Sequence, residues 1–212
     1  VKLIIHIFLY TSLKMDKEQK SMKWKTLDSE YLIRRPWLTA RRDKVQLPNG
    51  HVIDEYYVLE YPTWINVIAI TPDDQFVFVR QYRYALGKTV DEIVAGVVEE
   101  GEDPMVAAKR ELEEETGYTG GEWRELMVSS ANASTMTNLT HSYIAYGVVP
   151  EGNRHLDDGE DIDVKLFSRS EVRSMLERGE IWQSLMAAPL WKMFAEAVSY
   201  THLRAHETLR HL

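Results

Sequence analysis

The chain has 212 residues, of which 44% are hydrophobic and 27% are charged, a balance typical of one globular domain or of one domain with a small extra module. It contains no cysteine, which excludes disulfides, thiolate metal sites and cysteine nucleophiles, so a metal ion would need oxygen or imidazole ligands. The formal net charge of -8 argues against a broad basic face, and we expect no nucleic-acid partner.

The chain opens on an apolar run, residues 1–10, that is too short to span a membrane as a helix. No small-residue cleavage site follows it, and Met15 begins a polar run that looks more like a native start. We therefore expect residues 1–14 to be a non-native upstream extension, with an apolar N-terminal strand and a short secretory leader as the alternatives. We expect a cytoplasmic protein with no membrane partner.

Residues 15–62 predict a small antiparallel β-meander. The turn signal Pro48-Asn49-Gly50 separates two groups of β-forming residues. The strands are predicted near Trp24, at 38–42, at 44–47 and at 52–61. A segment of this size buries too little surface to be stable alone, so we expect it to pack against the main domain or against a second subunit.

Residues 63–197 predict the main domain, an α+β fold with a central sheet and a few helices. Its first two strands, 64–71 and 75–82, flank the turn Pro72-Asp73-Asp74 and predict a hairpin. The later strands are predicted at 91–95, 123–129, 140–149 and 161–168. Helices are predicted at 105–116, at 170–178 with Ser170 as the cap, and at 180–194.

The C-terminal segment, residues 198–212, is unlike the rest of the chain. It resembles the translation of a sequencing adapter, and we expect it to be a non-native tail. The alternative is a histidine-containing tail that binds metal or senses pH.

One predicted helix carries clear end signals and a set of acidic residues. Asp103 is a favourable N-cap, Pro104 suits the first helical position, and Gly117 is a natural stop. Three glutamates lie at positions i, i+3 and i+4 of the helix, which places their carboxylates on one face: Glu111, Glu114 and Glu115.

Like charges at this spacing oppose helix formation, by roughly a few tenths of a kcal/mol per pair, and a divalent cation would offset the repulsion. Hard oxygen ligands select magnesium, with manganese as the alternative, rather than zinc. Arg110 lies four residues before Glu114 and can orient a carboxylate by a bidentate hydrogen bond. The alternative is that this segment is only a solvated helix surface.

The residues around this helix resemble the Nudix box, the motif of the Nudix hydrolase family. The matching positions are Gly96, Glu102, Arg110, Glu111, Leu112, Glu114, Glu115 and Gly117. The resemblance implies an α/β/α sandwich that hydrolyses a nucleoside diphosphate linked to another moiety. It implies Glu111, Glu114 and Glu115 as metal ligands, often joined by the backbone carbonyl of Ala95, and catalytic roles for Glu114, Glu115 and Arg110.

Residues 76–96 are similar to the ADP-ribose pyrophosphatase branch of that family, although Val94 stands where the branch has a proline. This resemblance implies a nucleotide-sugar substrate and a homodimer whose N-terminal β-meander often swaps between subunits. The resemblance assigns Arg83 to a phosphate or ribose and Glu92 to the substrate or to a metal-bound water.

Three further assignments follow from the same branch. Glu160 matches its general base, with an acidic solvent loop as the alternative. Trp64 or Trp37 could stack on a base, as aromatic faces do, although each could instead be an ordinary core residue.

The loop at residues 129–138 lacks a proline that ADP-ribose-specific members usually carry. A nucleotide-sugar or dinucleotide pyrophosphatase of broader range is therefore the second reading of the function. A non-catalytic nucleotide-sugar sensor and a house-cleaning hydrolase of nucleoside triphosphates are the remaining alternatives.

Overall fold

The computed structural model describes residues 21–157 and 159–209, and for residues 198–209 it describes the backbone alone. The extension expected at residues 1–14 lies outside the described residues, and the non-native origin of residues 198–212 stays a prediction. The chain divides into two compact units, residues 1–59 and residues 60–212.

The first unit is a three-stranded sheet in the order β1-β2-β3, formed by β1 (Lys25–Arg35), β2 (Leu38–Gln46) and β3 (Val52–Glu60). The expected N-terminal β-meander is confirmed. Two short strands had been expected where β2 is continuous. Asp43 stays within the strand because its buried carboxylate accepts hydrogen bonds from Ser29 at 2.6 Å and from Arg41 at 3.1 Å.

The second unit contains a larger sheet with the central order β10-β5-β4-β9-β8, to which β6 adds by pairing with β5 and β7 by pairing with β4. The β4 and β9 strands run parallel, and the other pairs are antiparallel. The strands are β4 (Trp64–Ile70), β5 (Gln75–Arg83), β6 (Lys88–Glu92), β7 (Val94–Val97), β8 (Thr119–Ser129), β9 (Thr140–Val149) and β10 (Asp163–Ser168).

Helices cover both faces of this sheet, so the α/β/α sandwich is confirmed. The alternation of β4 shows how the sequence produces it, since successive side chains of a strand point to opposite faces. Ile65 and Val67 pack with α1 (Pro104–Thr116). Ile68 and Ile70 pack with α2 (Arg169–Glu177) and α3 (Ser184–Leu209).

The end signals of α1 are confirmed. The Asp103 carboxylate accepts a hydrogen bond from the backbone N–H of Met105 at 2.9 Å, and Pro104 opens the helix. Gly117 ends it with φ at 74°, in the left-handed region that favours glycine. Leu112 is fully buried against the sheet, and Glu115, three residues further on, is buried as well.

Four predicted boundaries were wrong, each because of contacts that are distant in sequence or specific to a turn. The strand expected at 123–129 begins at Thr119, since Thr119 pairs with Val149. The strand expected at 91–95 is two strands, since the chain leaves β5 after Glu92 and pairs with β4 from Val94. The cap of α2 is Ser168, not Ser170, and it forms a capping box with Glu171. The last helix begins at Ser184, not at residue 180.

None of the helices that the structure describes is long and apolar enough to cross a bilayer.

Candidate active site

Arg110 organises the acidic face of α1. Its guanidinium makes a bidentate pair with Glu102, at 3.0 Å for both bonds, and donates to Glu111 at 2.9 Å and to Glu114 at 3.0 Å. It also donates to the carbonyl of Val97 at 3.1 Å. The bidentate partner is therefore the loop residue Glu102 and not the helical carboxylate expected from spacing. The Arg110 guanidinium therefore links the loop before the helix to two carboxylates of the helix.

Gly96 is required by the position of Glu111. A Cβ built on Gly96 would lie 2.1 Å from the carboxyl carbon of Glu111, which is closer than two non-bonded carbon atoms can approach. The Glu111 carboxylate thus rests directly on the backbone of β7. Burial raises the pKa of Glu111, and the adjacent Arg110 partly opposes that rise.

Glu115 is the most deeply placed carboxylate of the set, with 4% of its surface exposed. Burial, reinforced by the negative charges of Glu111 and Glu160, raises its pKa to about 9. Arg83 and a backbone hydrogen bond from Ala95 oppose that rise. One carboxylate oxygen of Glu115 has no hydrogen-bond partner among the described residues, although it is fully buried.

This donor set fits a divalent cation. A buried carboxylate oxygen of Glu115 without a partner among the described residues, together with the partly buried carboxylate of Glu111, offers hard oxygen ligands of the type that magnesium and manganese prefer. Within residues 21–157 and 159–209, no three His, Asp or Glu side chains stand in a closed metal-ligating arrangement.

A pocket of about 210 Å³ adjoins these carboxylates on the other side of β7, and Trp64, Arg83, Ala95 and Gly96 are among its lining residues. Arg83 donates two hydrogen bonds to the buried Glu92, at 2.9 and 2.6 Å. Glu92 therefore fixes Arg83, and Arg83 faces the pocket.

Trp37, the other tryptophan with a predicted stacking role, lies in the first unit and is 86% exposed.

Glu160 lies in the loop between β9 and β10, and its charge raises the pKa values of Glu111 and Glu115, which places it beside the acidic face. Its carboxylate accepts a hydrogen bond from the backbone N–H of Asp157 at 3.1 Å. The structure thus gathers Glu160 and the helical glutamates, which are some 45 residues apart in the sequence.

Arg154 is a site residue that the sequence did not indicate. Its Nε donates to the carbonyl of Glu115 at 2.8 Å, and another guanidinium nitrogen donates to the carbonyl of Ile162. The neighbouring His155 N–H donates to the carbonyl of Glu114 at 2.9 Å. Arg154 therefore connects the end of α1 to the loop that carries Glu160. Its partners are backbone atoms, which leave no signal in a sequence pattern.

The sandwich and its carboxylate-bearing helix are those of an enzyme that cleaves pyrophosphate bonds. Residues 61–188 match the family model described as NUDIX domain, and residues 24–59 match the one described as Nucleoside diphosphate sugar hydrolase N-terminal domain. The chain therefore belongs to the Nudix hydrolase family, whose members generally use divalent metal ions.

The similar proteins include a methanol dehydrogenase activator of Bacillus methanolicus, 31% identical and covering 91% of this chain and 98% of the relative. An ADP-ribose pyrophosphatase of Bacillus subtilis is 30% identical, over 79% of this chain and 91% of the relative. The solved structure of an ADP compounds hydrolase aligns with a TM-score of 0.75 at 20% identity, over 85% of this chain and 98% of that one, and shows the shared fold.

The raised pKa of Glu115 predicts how the stability of the metal-free protein depends on pH. The folded value of about 9 lies above the ordinary value of 4.5, so this group's stabilising contribution is complete below 4.5 and is lost as the pH rises towards 9. In a chelator, we expect the Tm to fall between about pH 6 and about pH 9 more steeply for the wild type than for Glu115→Gln. Added Mg²⁺ should restore the Tm most at the alkaline end, because it binds the ionised carboxylate. Parallel Tm profiles for the two proteins would contradict this prediction.

Arg154 should act on turnover through the loop that it holds. We expect Arg154→Ala to lower kcat by about 10- to 100-fold, since small misplacements of a catalytic group cost that much. In a Glu160→Gln background the same change should have little further effect, because the two residues serve one function. Arg124→Ala, which removes an exposed arginine paired with Glu196, is the control. Independent, multiplying losses in the double variant would exclude this role.

Proposed function

We propose that this chain hydrolyses the pyrophosphate bond of ADP-ribose to AMP and ribose 5-phosphate with Mg²⁺ as its cofactor and Mn²⁺ as an alternative. The observation that carries the proposal is the buried Glu115 carboxylate, which keeps one oxygen without a hydrogen-bond partner among the described residues and is affected by the charges of Glu111 and Arg83. The nucleoside diphosphate sugar hydrolase match and the ADP-ribose pyrophosphatase relatives favour this substrate class.

In this proposal Glu111, Glu114 and Glu115 hold the cation, together with the carbonyl of Ala95. When bound, a divalent cation neutralises diphosphate charge and makes water a better nucleophile at neutral pH. Arg110 keeps its bidentate pair with Glu102 in this role. The pair uses two guanidinium nitrogens, and the third nitrogen contacts Glu111 and Glu114. It keeps the two helical carboxylates aligned.

Glu160 is the proposed general base. It lies in a loop, and its carboxylate accepts a hydrogen bond from the exposed Asp157 N–H, so in this mechanism it turns towards a water at the acidic face. Arg83 supplies the positive charge for the diphosphate, and Glu92 keeps that guanidinium in place through two hydrogen bonds. A fixed cation facing developing negative charge stabilises the transition state more than a mobile one.

The assay with ADP-ribose tests this assignment. Purified protein with Mg²⁺ should release AMP and ribose 5-phosphate, and Glu115→Gln should lower kcat by about 100-fold or more, the scale of a lost catalytic group. Glu113→Gln is the matched control, because Glu113 accepts a hydrogen bond from the backbone of Asn153, outside the carboxylate cluster. The proposal fails if ADP-ribose is not hydrolysed, or if Glu115→Gln is as active as the wild type.

The second candidate, a nucleotide-sugar or dinucleotide pyrophosphatase of broader range, is supported by the small, polar loop at residues 129–138, which contains no proline. A panel of nucleotide sugars, dinucleotides and nucleoside triphosphates, compared by kcat/KM, separates the candidates. A preference for triphosphates would instead favour the house-cleaning reading.

We also propose that the protein is a homodimer that uses the first unit. β1 is an edge strand in which every residue is exposed, including Leu27, Leu32 and Ile33 at 41%, 46% and 42%. An edge strand that exposes several apolar side chains is a typical surface for association with another chain.

Sedimentation velocity tests the dimer. We expect the wild type to sediment at twice the mass of the 24.6 kDa chain and Ile33→Glu to shift towards the monomer, because a charge in an apolar contact is costly. Val128→Glu, at a residue with the same 42% exposure in the second unit, is the control and should stay dimeric. A monomeric wild type would contradict the proposal.

A further inference from the structure

The pocket beside the carboxylates has two buried polar side chains in its lining. Asn66 and Thr140 both line it, and only 1% and 2% of their surfaces are exposed. The Asn66 Oδ1 and the Thr140 hydroxyl are buried and have no hydrogen-bond partner among the described residues. Buried polar atoms are nearly always paired, so these two atoms need partners, and their place in a pocket lining allows a ligand to supply them.

The register of the sheet brings these two side chains together. The β4 and β9 strands run parallel, with Trp64 opposite Thr140 and Asn66 opposite Ser142. On the same face, Ile68 and its neighbours pack beneath α2 and α3. This face is therefore apolar beneath the helices and polar at Asn66, Thr140 and Ser142, and of these three Asn66 and Thr140 line the pocket.

The available hydrogen-bonding groups restrict the ligand. Asn66 already donates its Nδ2 to the carbonyl of Leu185 at 2.8 Å, which leaves its Oδ1 as an acceptor. Thr140 offers a hydroxyl that can donate or accept. A phosphate oxygen is an acceptor only and could not satisfy Asn66, whereas a pair of sugar hydroxyls can satisfy both groups.

Size and position agree with one sugar ring. The volume of about 210 Å³ lies below the roughly 300 Å³ at which pockets for drug-sized ligands begin, so it suits a single ring rather than a whole nucleoside. Gly96 lines the pocket and also contacts Glu111, while Arg83 lines the pocket and acts on the charge of Glu115. A ring in this pocket would thus be attached to a diphosphate at the carboxylates.

We propose that this pocket binds a hydroxyl-bearing sugar ring of the substrate, with Asn66 and Thr140 as the residues that determine specificity. The assignment rests on the proposed function for its substrate class, a nucleoside diphosphate joined to a sugar. The ring is either the terminal sugar or the ribose of the nucleoside, and both present neighbouring hydroxyls.

Thr140→Val removes the hydroxyl while keeping the shape of the side chain. Ser142→Ala is the matched control, since Ser142 lies two residues further along the same strand, is equally buried and unpaired, and does not line the pocket. We expect Thr140→Val to lower kcat/KM for ADP-ribose by about 5- to 10-fold, the usual effect of one lost hydrogen bond, and Ser142→Ala to leave it unchanged. The Tm of both variants reports any effect on folding.

An ADP ester of a simple alkyl alcohol separates the two rings. If the loss in Thr140→Val disappears on this substrate, the pocket holds the terminal sugar, and if the loss persists, it holds the nucleoside ribose. Equal losses in both variants, no loss in either, or a loss that follows the identity of the base and not the sugar would overturn the proposal.

A binding measurement distinguishes this proposal from the proposed reaction. Calorimetric titration of the wild type with ribose 5-phosphate and with AMP, in a chelator, should show binding of at least one, weakened about 5- to 10-fold by Thr140→Val and not by Ser142→Ala. Such binding without any hydrolysis of ADP-ribose would leave the sugar pocket standing and the proposed reaction refuted. Hydrolysis of ADP-ribose without this dependence on Thr140 would support the proposed reaction and refute the sugar pocket.

Discussion

Mutual repulsion among the carboxylates of one helix is the constraint on which the rest of this site depends. The charges of Glu111 and Glu160 both raise the pKa of Glu115, so the carboxylates cannot all be ionised side by side without compensation. Arg110 compensates for part of it by contacting Glu102, Glu111 and Glu114. Glu115 keeps one buried oxygen with no hydrogen-bond partner among the described residues. The arginine thus partly neutralises the outer carboxylates, and in the proposed function the inner one remains available to a cation.

The site also requires the backbone at Gly96 to pass close to the acidic helix. This path results from a change of strand partner. The chain pairs with β5 up to Glu92 and with β4 from Val94, so Ala95 and Gly96 pass directly beneath the helix. Only glycine allows the Glu111 carboxylate to rest there, because any Cβ would overlap it. The motif therefore needs its first glycine, Gly96, so that the Glu111 carboxylate can approach the backbone, and not to form a turn.

Local signals predicted the parts of the fold that local physics determines. Asp103 and Gly117 bracket the helix because capping depends only on neighbouring residues, and the alternation of β4 follows from burial on two faces. The division at Ile93 could not be predicted, since the partner strands lie elsewhere in the chain. Arg154 was missed for a similar reason, because its hydrogen bonds go to carbonyl groups that any residue could provide. Spacing also suggested Glu114 as the bidentate partner of Arg110, yet the loop before the helix places Glu102 there.

In the proposed function, one side of β7 carries the carboxylates that act on the diphosphate and the other side forms the pocket for the sugar. Gly96 belongs to both sides. Gly96 touches Glu111 on one side and lines the pocket on the other. In the proposed assignment the reacting bond and the recognised sugar would therefore lie within one backbone thickness of each other. The carboxylate side is constrained by charge, and a change at any of its members disturbs the others. The pocket floor is neutral, since Asn66 and Thr140 carry no charge. If this pocket binds the sugar, as proposed, substitutions at Asn66 or Thr140 should alter which sugar is accepted while the carboxylates stay in place, and one Nudix framework could serve several substrates in this way.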